Sequence, residues 1–199
     1  MLITRELLLD FYIQQGLSSL TISKRVGCST NKINYWLKKF SIEKRSISKA
    51  IYTLNNPSGD PFVFTPPVTA EEHTLYGLCI GLYWGEGSKR NKNSVRICNT
   101  DPDIILAFVK FLKRFYKINE SKIRFGLQLF NDSNLKEATE FWTHYLGFSE
   151  DSFYKTIVSK VRGEGTYKNK SKYGVITLYY NNTKLQSLML SSIEKMRKM

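Results

Sequence analysis

Apolar and polar residues follow three different patterns along the chain. In the first 40 residues, apolar positions recur every three to four residues in short runs, which predicts helices. Residues 53–68 contain four prolines, which predicts a linker. From residue 69 onward, helical spacing is interspersed with two-residue alternation. The sequence therefore predicts a small helical domain at 1–52, a proline-rich linker at 53–68 and an α+β domain at 69–199.

The N-terminal segment is predicted to form three consecutive helices, because residues that end or cap helices separate its apolar runs. The first run ends before Gly16, and a serine, Ser18 or Ser19, caps a second, short helix. Gly27 then turns the chain, and Ser29 caps the third helix. The basic residues that follow, including Lys44 and Arg45, predict a tail that either follows a DNA groove or is solvated.

The third helix has an apolar face and a polar, basic face. Asparagine can pair with adenine, and lysine binds guanine edges or phosphates, so the outer face suits a DNA major groove. The arrangement resembles a recombinase-type helix-turn-helix, and a solvated face on a small helical bundle is the alternative. The predicted DNA-binding residues of this helix are Asn31, Lys32, Asn34, Tyr35, Lys38 and Lys39.

The second domain is predicted to hold a mixed or antiparallel sheet with helices on one face. The predicted strands are Ser94–Cys98, Lys122–Phe130, Phe153–Val161 and Val175–Tyr180, and the predicted helices after the glycine-rich run are Asp103–Tyr116, Leu135–Leu146 and Leu185–Lys195. The free face of such a sheet can lie along DNA. Its predicted DNA-binding residues, with those of the preceding loop, are Lys89, Arg90, Lys92, Arg96, Lys122, Arg124, Gln128, Lys155 and Lys160. The register leaves open which of the last two lysines faces DNA.

The charge of the chain favours a nucleic-acid partner. The net charge of +13 divides into +6 over residues 1–52, zero over 53–150 and +7 over 151–199. Basic surfaces of this kind attract polyanions, whereas no membrane anchor is recognisable, although a merely soluble basic protein is the alternative. Three cysteines without metal-ligand spacing and no recognisable signal segment lead us to expect a cytoplasmic protein with reduced thiols.

The segment Leu75–Ser88, with the sequence LYGLCIGLYWGEGS, carries most of the functional information. Gly77, Gly81 and Gly85 are four residues apart, so a helix places them on one face, where another helix can approach closely. Thr69 and Glu72 predict a capping box at the start of this helix, and we expect a left-handed Gly87 just past its end. An ordinary core helix ending at a glycine is the simpler alternative.

Glu86 stands in the last turn of this predicted helix, between two glycines. The helix dipole is negative there and disfavours a carboxylate by a few tenths to ~1 kcal/mol. A metal cation or a basic neighbour should therefore compensate its charge. Glu86 is the leading candidate for a metal ligand.

Cys79–Gly87, with the sequence CIGLYWGEG, resembles a divergent LAGLIDADG motif in which Glu86 takes the place of the final acid and Trp84 replaces the first aspartate. Ser94–Ile105, SVRICNTDPDII, resembles the strand and capped helix that follow the motif in these homing endonucleases. The resemblance implies that Glu86 holds a divalent metal, Mg²⁺, and that Arg96 lies near the scissile phosphate, where the family usually has glutamine.

Single-motif members of the LAGLIDADG family pair two chains through their motif helices. The resemblance therefore implies a homodimer whose interface contains Gly77, Gly81 and Gly85, with one acid from each chain. We expect a site-specific, Mg²⁺-dependent endonuclease acting on double-stranded DNA. The alternatives are a transcriptional regulator that keeps the LAGLIDADG-like fold without cutting DNA, and a protein that assists intron splicing.

Overall fold

The computed structural model describes residues 2–160 and 171–198. The chain divides into two compact units, Met1–Asp60 and Pro61–Met199. Each unit has its own hydrophobic core. No helix within the described residues is both long and apolar enough to cross a membrane.

The first unit contains the three helices that the sequence predicts, followed by a fourth. The bounds are α1 Arg5–Leu8, continued by a π-helical segment Leu9–Gln14, then α2 Ser19–Val26, α3 Thr30–Lys39 and α4 Ile47–Asn55. Ser18 and Ser29 cap α2 and α3, and Gly27 ends α2 in the left-handed conformation. The predicted helix starts and the turn between α2 and α3 are therefore confirmed.

Helix α4 corrects the prediction of a basic tail followed by a linker. Ser46 caps this helix, and residues 53–55, predicted as linker, form its last turn. The Arg45 guanidinium donates hydrogen bonds to the carbonyl oxygens of Gly16 (2.8 Å) and Leu17 (2.5 Å) and lies over the Tyr12 ring. Arg45 thus holds the first unit together, which sequence spacing does not reveal because its partners lie about 30 residues away.

The second unit is α+β, as predicted. Its elements are α5 Ala70–Glu86, β1 Val95–Asn99, α6 Pro102–Tyr116, β2 Ile123–Phe130, α7 Leu135–Leu146, β3 Ile157–Ser159, β4 Val175–Tyr180 and α8 Thr183–Met196. The sheet is mixed, with the strand order β1-β4-β2-β3. Strand β4 lies antiparallel to β1 and β2, and β3 runs parallel to β2.

Alternation along the strands separates a buried face from an outer face. Ile97, Leu178 and Phe125 form one row across β1, β4 and β2, and this row packs into the core with the four helices. The next row, Arg96, Tyr179 and Arg124, lies on the outer face. Strand β3 is shorter than predicted, since its continuous pairing with β2 covers residues 157–159, while Phe153 forms an isolated bridge with Phe125 and Val161 lies outside the described residues.

The segment 62–65 belongs to the second unit. Phe62 is buried in its core, and the backbone N–H groups of Val63 and Thr65 donate to the carbonyl oxygens of Tyr116 (2.8 Å) and Phe115 (2.7 Å). The later part of the predicted linker is therefore fastened along the end of α6.

Candidate nucleic-acid interface and motif helix

Helix α5 buries one face and leaves the glycine face open. Cys79, Ile80 and Tyr83 are fully buried against the core of the second unit. On the opposite side, a Cβ atom placed on Gly77, Gly81 or Gly85 would meet no heavy atom within 4 Å among the described residues. Leu78 on the same side is 53% exposed. The glycine stripe therefore does not serve packing within the described part of this chain.

The start of α5 has the predicted cap with one difference. The Thr69 hydroxyl accepts the Glu72 backbone N–H at 3.3 Å, as in a capping box. The Glu72 carboxylate, however, accepts the N–H of Val68 at 2.8 Å and forms an ion pair with Arg114. The Val68 N–H and the Arg114 guanidinium lower the pKa of Glu72, because both favour the charged carboxylate.

The end of α5 differs from the prediction at Gly87. This residue is extended, with φ −74° and ψ 146°, rather than left-handed, and it pairs with Ile97 of β1 in an isolated bridge. Glycine is needed for another reason. A Cβ atom at position 87 would lie 2.6 Å from Cε2 of the Tyr83 ring and closer still to Cδ2 and to the Tyr83 carbonyl oxygen. The close approach of the chain to this buried ring therefore excludes a side chain.

Two further hydrogen bonds tie the end of α5 to β1. The Tyr83 hydroxyl donates to the carbonyl oxygen of Ser88 at 3.2 Å, and the Ser88 N–H donates to the carbonyl oxygen of Arg96 at 2.9 Å. Burial raises the pKa of Tyr83 to about 12, so this hydroxyl keeps its proton at neutral pH. Glu86 and Arg96, the two candidate catalytic residues, thus stand on segments that are joined directly.

Glu86 itself is exposed, and a basic residue lies at the same helix end. Lys89 Nζ donates to the carbonyl oxygen of Trp84 at 2.5 Å and supplies the positive charge that a helix C-terminus favours. Within residues 2–160 and 171–198, no group of three or more His, Cys, Asp and Glu side chains is arranged to hold a metal ion. A metal bound by Glu86 would therefore need ligands beyond those that the described part of one chain assembles.

Arg96 lies on the outer face of the sheet, over an aromatic ring. Its guanidinium carbon lies 5.1 Å from the centre of the Tyr179 ring, a cation–π contact. Its Nε atom is buried and makes no hydrogen bond to the described residues. Tyr179 in turn meets Tyr154 edge-on at 5.5 Å. Neither tyrosine was predicted from the sequence, because the pairing of β4 with β1 that sets Tyr179 opposite Arg96 is a long-range contact.

The remaining DNA-binding candidates of the second unit lie on β2 or outside the strands. Arg124 lies in the same row as Arg96, and its Nη1 donates to the carbonyl oxygens of Ser121 and Ile123, both at 2.7 Å. Gln128 is exposed further along β2. The other candidates are exposed and lie outside the strands, namely Lys89, Arg90, Lys92, Lys122, Lys155 and Lys160. This corrects the prediction of Lys122, Lys155 and Lys160 as strand residues, since Lys122 ends a short 3₁₀ helix and β3 covers only residues 157–159.

Helix α3 presents the predicted polar face to solvent. Asn31, Lys32, Tyr35, Lys38 and Lys39 are exposed, and Asn34 is half-buried. The spacing of residues 31, 34, 35 and 38 places them on one side of the helix. Lys39 instead lies over the Trp36 ring, with Nζ 4.6 Å from the ring centre, on another side of the helix.

No protein-family model, curated protein or solved structure matches the chain. The functional interpretation therefore depends on the residues described above and on their geometry.

Proposed function

We propose that the protein is a homodimeric, site-specific endonuclease that cuts double-stranded DNA with Mg²⁺ and has a LAGLIDADG-like second domain. The observation that carries this proposal is the open glycine face of α5, which ends beside the exposed carboxylate of Glu86. Small residues on a helix face allow close backbone approach by a second helix. The same face of a second copy is the occupant that also brings a second acid.

The proposed dimer would supply two acids to one metal-binding site, although each chain contributes only Glu86. A two-fold axis along paired α5 helices places both Glu86 carboxylates near each other, because an isologous interface repeats each contact. Carboxylate oxygens are ligands that Mg²⁺ accepts, and bound Mg²⁺ would activate water and neutralise charge at the leaving oxygen. Glu86 of each chain would hold the metal, and Arg96 would bind the scissile phosphate.

Arg96 suits phosphate binding because its orientation is already restricted. The Tyr179 ring restricts the guanidinium, so less side-chain freedom is lost when a planar pair of hydrogen bonds to phosphate forms. Arg124 lies two strands away in the same row, which extends the positive charge across the sheet. The outer face would therefore follow the DNA backbone, while α3 would read bases in a major groove.

A non-catalytic transcriptional regulator is the second candidate. Lys89 already supplies a positive charge at the end of α5, and this basic neighbour removes part of the need for a metal beside Glu86. The α3 face and the outer sheet face would bind DNA equally well without cutting it. Both candidates share specific DNA binding and differ in the chemistry at Glu86.

Selection followed by digestion separates the two functions. Random-sequence duplexes that the full chain retains are sequenced, and the enriched duplex is then incubated with the protein in Mg²⁺ and, in parallel, in EDTA. An enriched, approximately palindromic sequence that is cut only with Mg²⁺ supports the endonuclease. The same enrichment without any cutting supports the regulator, and no enrichment contradicts both.

A further inference from the structure

The second unit contains a cavity whose lining includes none of the proposed DNA-binding residues. Its volume is about 440 Å³, which falls in the size range of small-molecule sites. The walls come from the segment 64–67, from α5 and the end of α6, and from α8. Aromatic and aliphatic side chains dominate them, namely Phe64, Tyr76, Tyr116, Leu188 and Met196.

Ring contacts and hydrogen bonds hold the aromatic part of the cavity wall in place. The hydrogen bonds of Val63 and Thr65 to the end of α6 place Phe64 between them, with its ring 5.3 Å from that of Tyr116. The Tyr76 ring lies 6.2 Å from that of Phe64, and the hydroxyls of Tyr76 and Ser192 share a hydrogen bond of 3.0 Å. This part of the lining is therefore held in place without a ligand, which lowers the entropic cost of binding.

The polar side of the cavity is basic. Lys195 is exposed and lines the cavity together with Ser191 and Ser192, and no acidic residue is among the described lining residues. Glu194, the neighbouring acid on α8, pairs with Arg197 at 2.7 Å. The cavity thus offers an apolar body and a cationic rim, which complements an apolar molecule with one negative charge at its end.

We propose that this cavity binds a small amphipathic carboxylate, with its alkyl chain among Phe64, Leu188 and Met196 and its carboxylate at Lys195. The assignment is supported by the apolar lining of the cavity and by the positive charge at its rim. It does not depend on the proposed function, because none of these residues belongs to the proposed DNA-binding surface.

The test is a calorimetric titration of the full chain with decanoate and with 1-decanol. Lys195→Gln should weaken decanoate binding about tenfold, the effect of one lost charged hydrogen bond of ~1.4 kcal/mol, and should leave decanol unchanged. The matched control is Lys198→Gln, which removes the same charge three residues away outside the cavity lining. Its decanoate affinity should stay within about twofold of wild type, a change of ~0.4 kcal/mol.

A cavity-filling variant tests the position of the ligand. Ser191 is exposed at the rim, so Ser191→Phe places a ring in the cavity and should abolish binding of both ligands, with the helical circular dichroism signal unchanged. Three results would overturn the proposal: no decanoate binding up to millimolar concentration, equal losses for Lys195→Gln and Lys198→Gln, or full binding by Ser191→Phe.

Discussion

The Tyr83 ring occupies the space that a side chain at position 87 would need. This contact turns the chain from α5 into the pairing with β1, so that Glu86 and Arg96 lie on joined segments. Gly87→Ala should therefore destabilise the protein by ~1–3 kcal/mol, as overpacking does in well-packed cores. Urea unfolding measures this loss.

The matched control for Gly87→Ala lies two residues earlier. A Cβ atom on Gly85 meets open space within a helix, so Gly85→Ala should stabilise the chain by ~0.5–1 kcal/mol through helix propensity. Equal unfolding free energies for the two variants would show that the Tyr83 contact does not restrict residue 87.

Gly81 tests the proposed dimer. If two α5 helices meet at their glycine faces, Gly81→Leu should separate them and shift the mass measured by light scattering toward one chain. Gly81→Ala adds a single methyl group and should keep the association. A wild-type protein that stays one chain per DNA site, with Gly81→Leu indifferent, would contradict the paired-helix interface.

On the α3 face, lysine side chains should contact DNA phosphates and asparagine side chains should recognise bases. Lys38→Ala should weaken binding to every sequence and reduce the slope of log affinity against log salt by ~0.9 per lost phosphate contact. Asn31→Ala should leave the slope unchanged and cost ~1–3 kcal/mol of discrimination at one base pair. Fluorescence anisotropy over a salt series measures both quantities.

The control for these variants is Lys136→Ala, an exposed lysine on α7 outside both proposed DNA-binding surfaces. Its affinity and salt slope should match those of wild type. If Lys38→Ala also matches wild type, α3 does not contact phosphate.

The cap at the start of α5 should make stability depend on pH. The folded-state pKa of Glu72 lies below its usual value of 4.5, because the Val68 N–H and Arg114 stabilise the carboxylate. A depressed pKa adds stability above the unfolded-state value, and this stability is lost as the pH falls through the folded-state value. Glu72→Gln should therefore be less stable than wild type at pH 7, and the difference should shrink below pH 4.5.

Thermal unfolding of wild type and Glu72→Gln at several pH values between 3 and 7 checks this prediction. Glu140→Gln, which removes an exposed carboxylate on α7, provides the comparison. If the difference in stability between wild type and Glu72→Gln stays constant over this pH range, ionisation of Glu72 does not contribute to the stability of the protein.

Local patterns predicted the helices and strands well where caps and periodicity agree. The bounds of Leu135–Leu146 and Val175–Tyr180 are those predicted, because Asn134 and Gly147 mark the helix ends and β-branched and aromatic residues mark the strand. Helix α4 was missed although Ser46 caps it and Ile47, Ile51 and Leu54 recur at helical spacing. Its basic and proline-rich surroundings indicated a tail and a linker instead.

The geometry of the candidate site could not be predicted from the sequence, because it depends on long-range contacts. The positions of Glu86, Gly87 and Arg96 relative to one another depend on the Tyr83 ring and on the bridge to Ile97. The stacking of Arg96 on Tyr179 depends on the placement of β4 beside β1, although about 80 residues separate them. The spacing of residues along the chain does not indicate which strands pair with one another.

Cleavage by Glu86→Gln tests the central claim most directly. This substitution keeps the size of an exposed side chain and removes the proposed metal ligand. The matched control is Glu71→Gln, which removes an exposed acid from the first turn of the same helix. Each protein is incubated with a plasmid library in Mg²⁺, and DNA affinity is measured in parallel.

The endonuclease account predicts that wild type and Glu71→Gln cut at the same recurring sequence. It predicts that Glu86→Gln cuts nothing while its DNA affinity stays within about tenfold of wild type, ~1.4 kcal/mol. Cutting by Glu86→Gln at the wild-type rate, or specific binding without cutting by the wild-type protein, would contradict it.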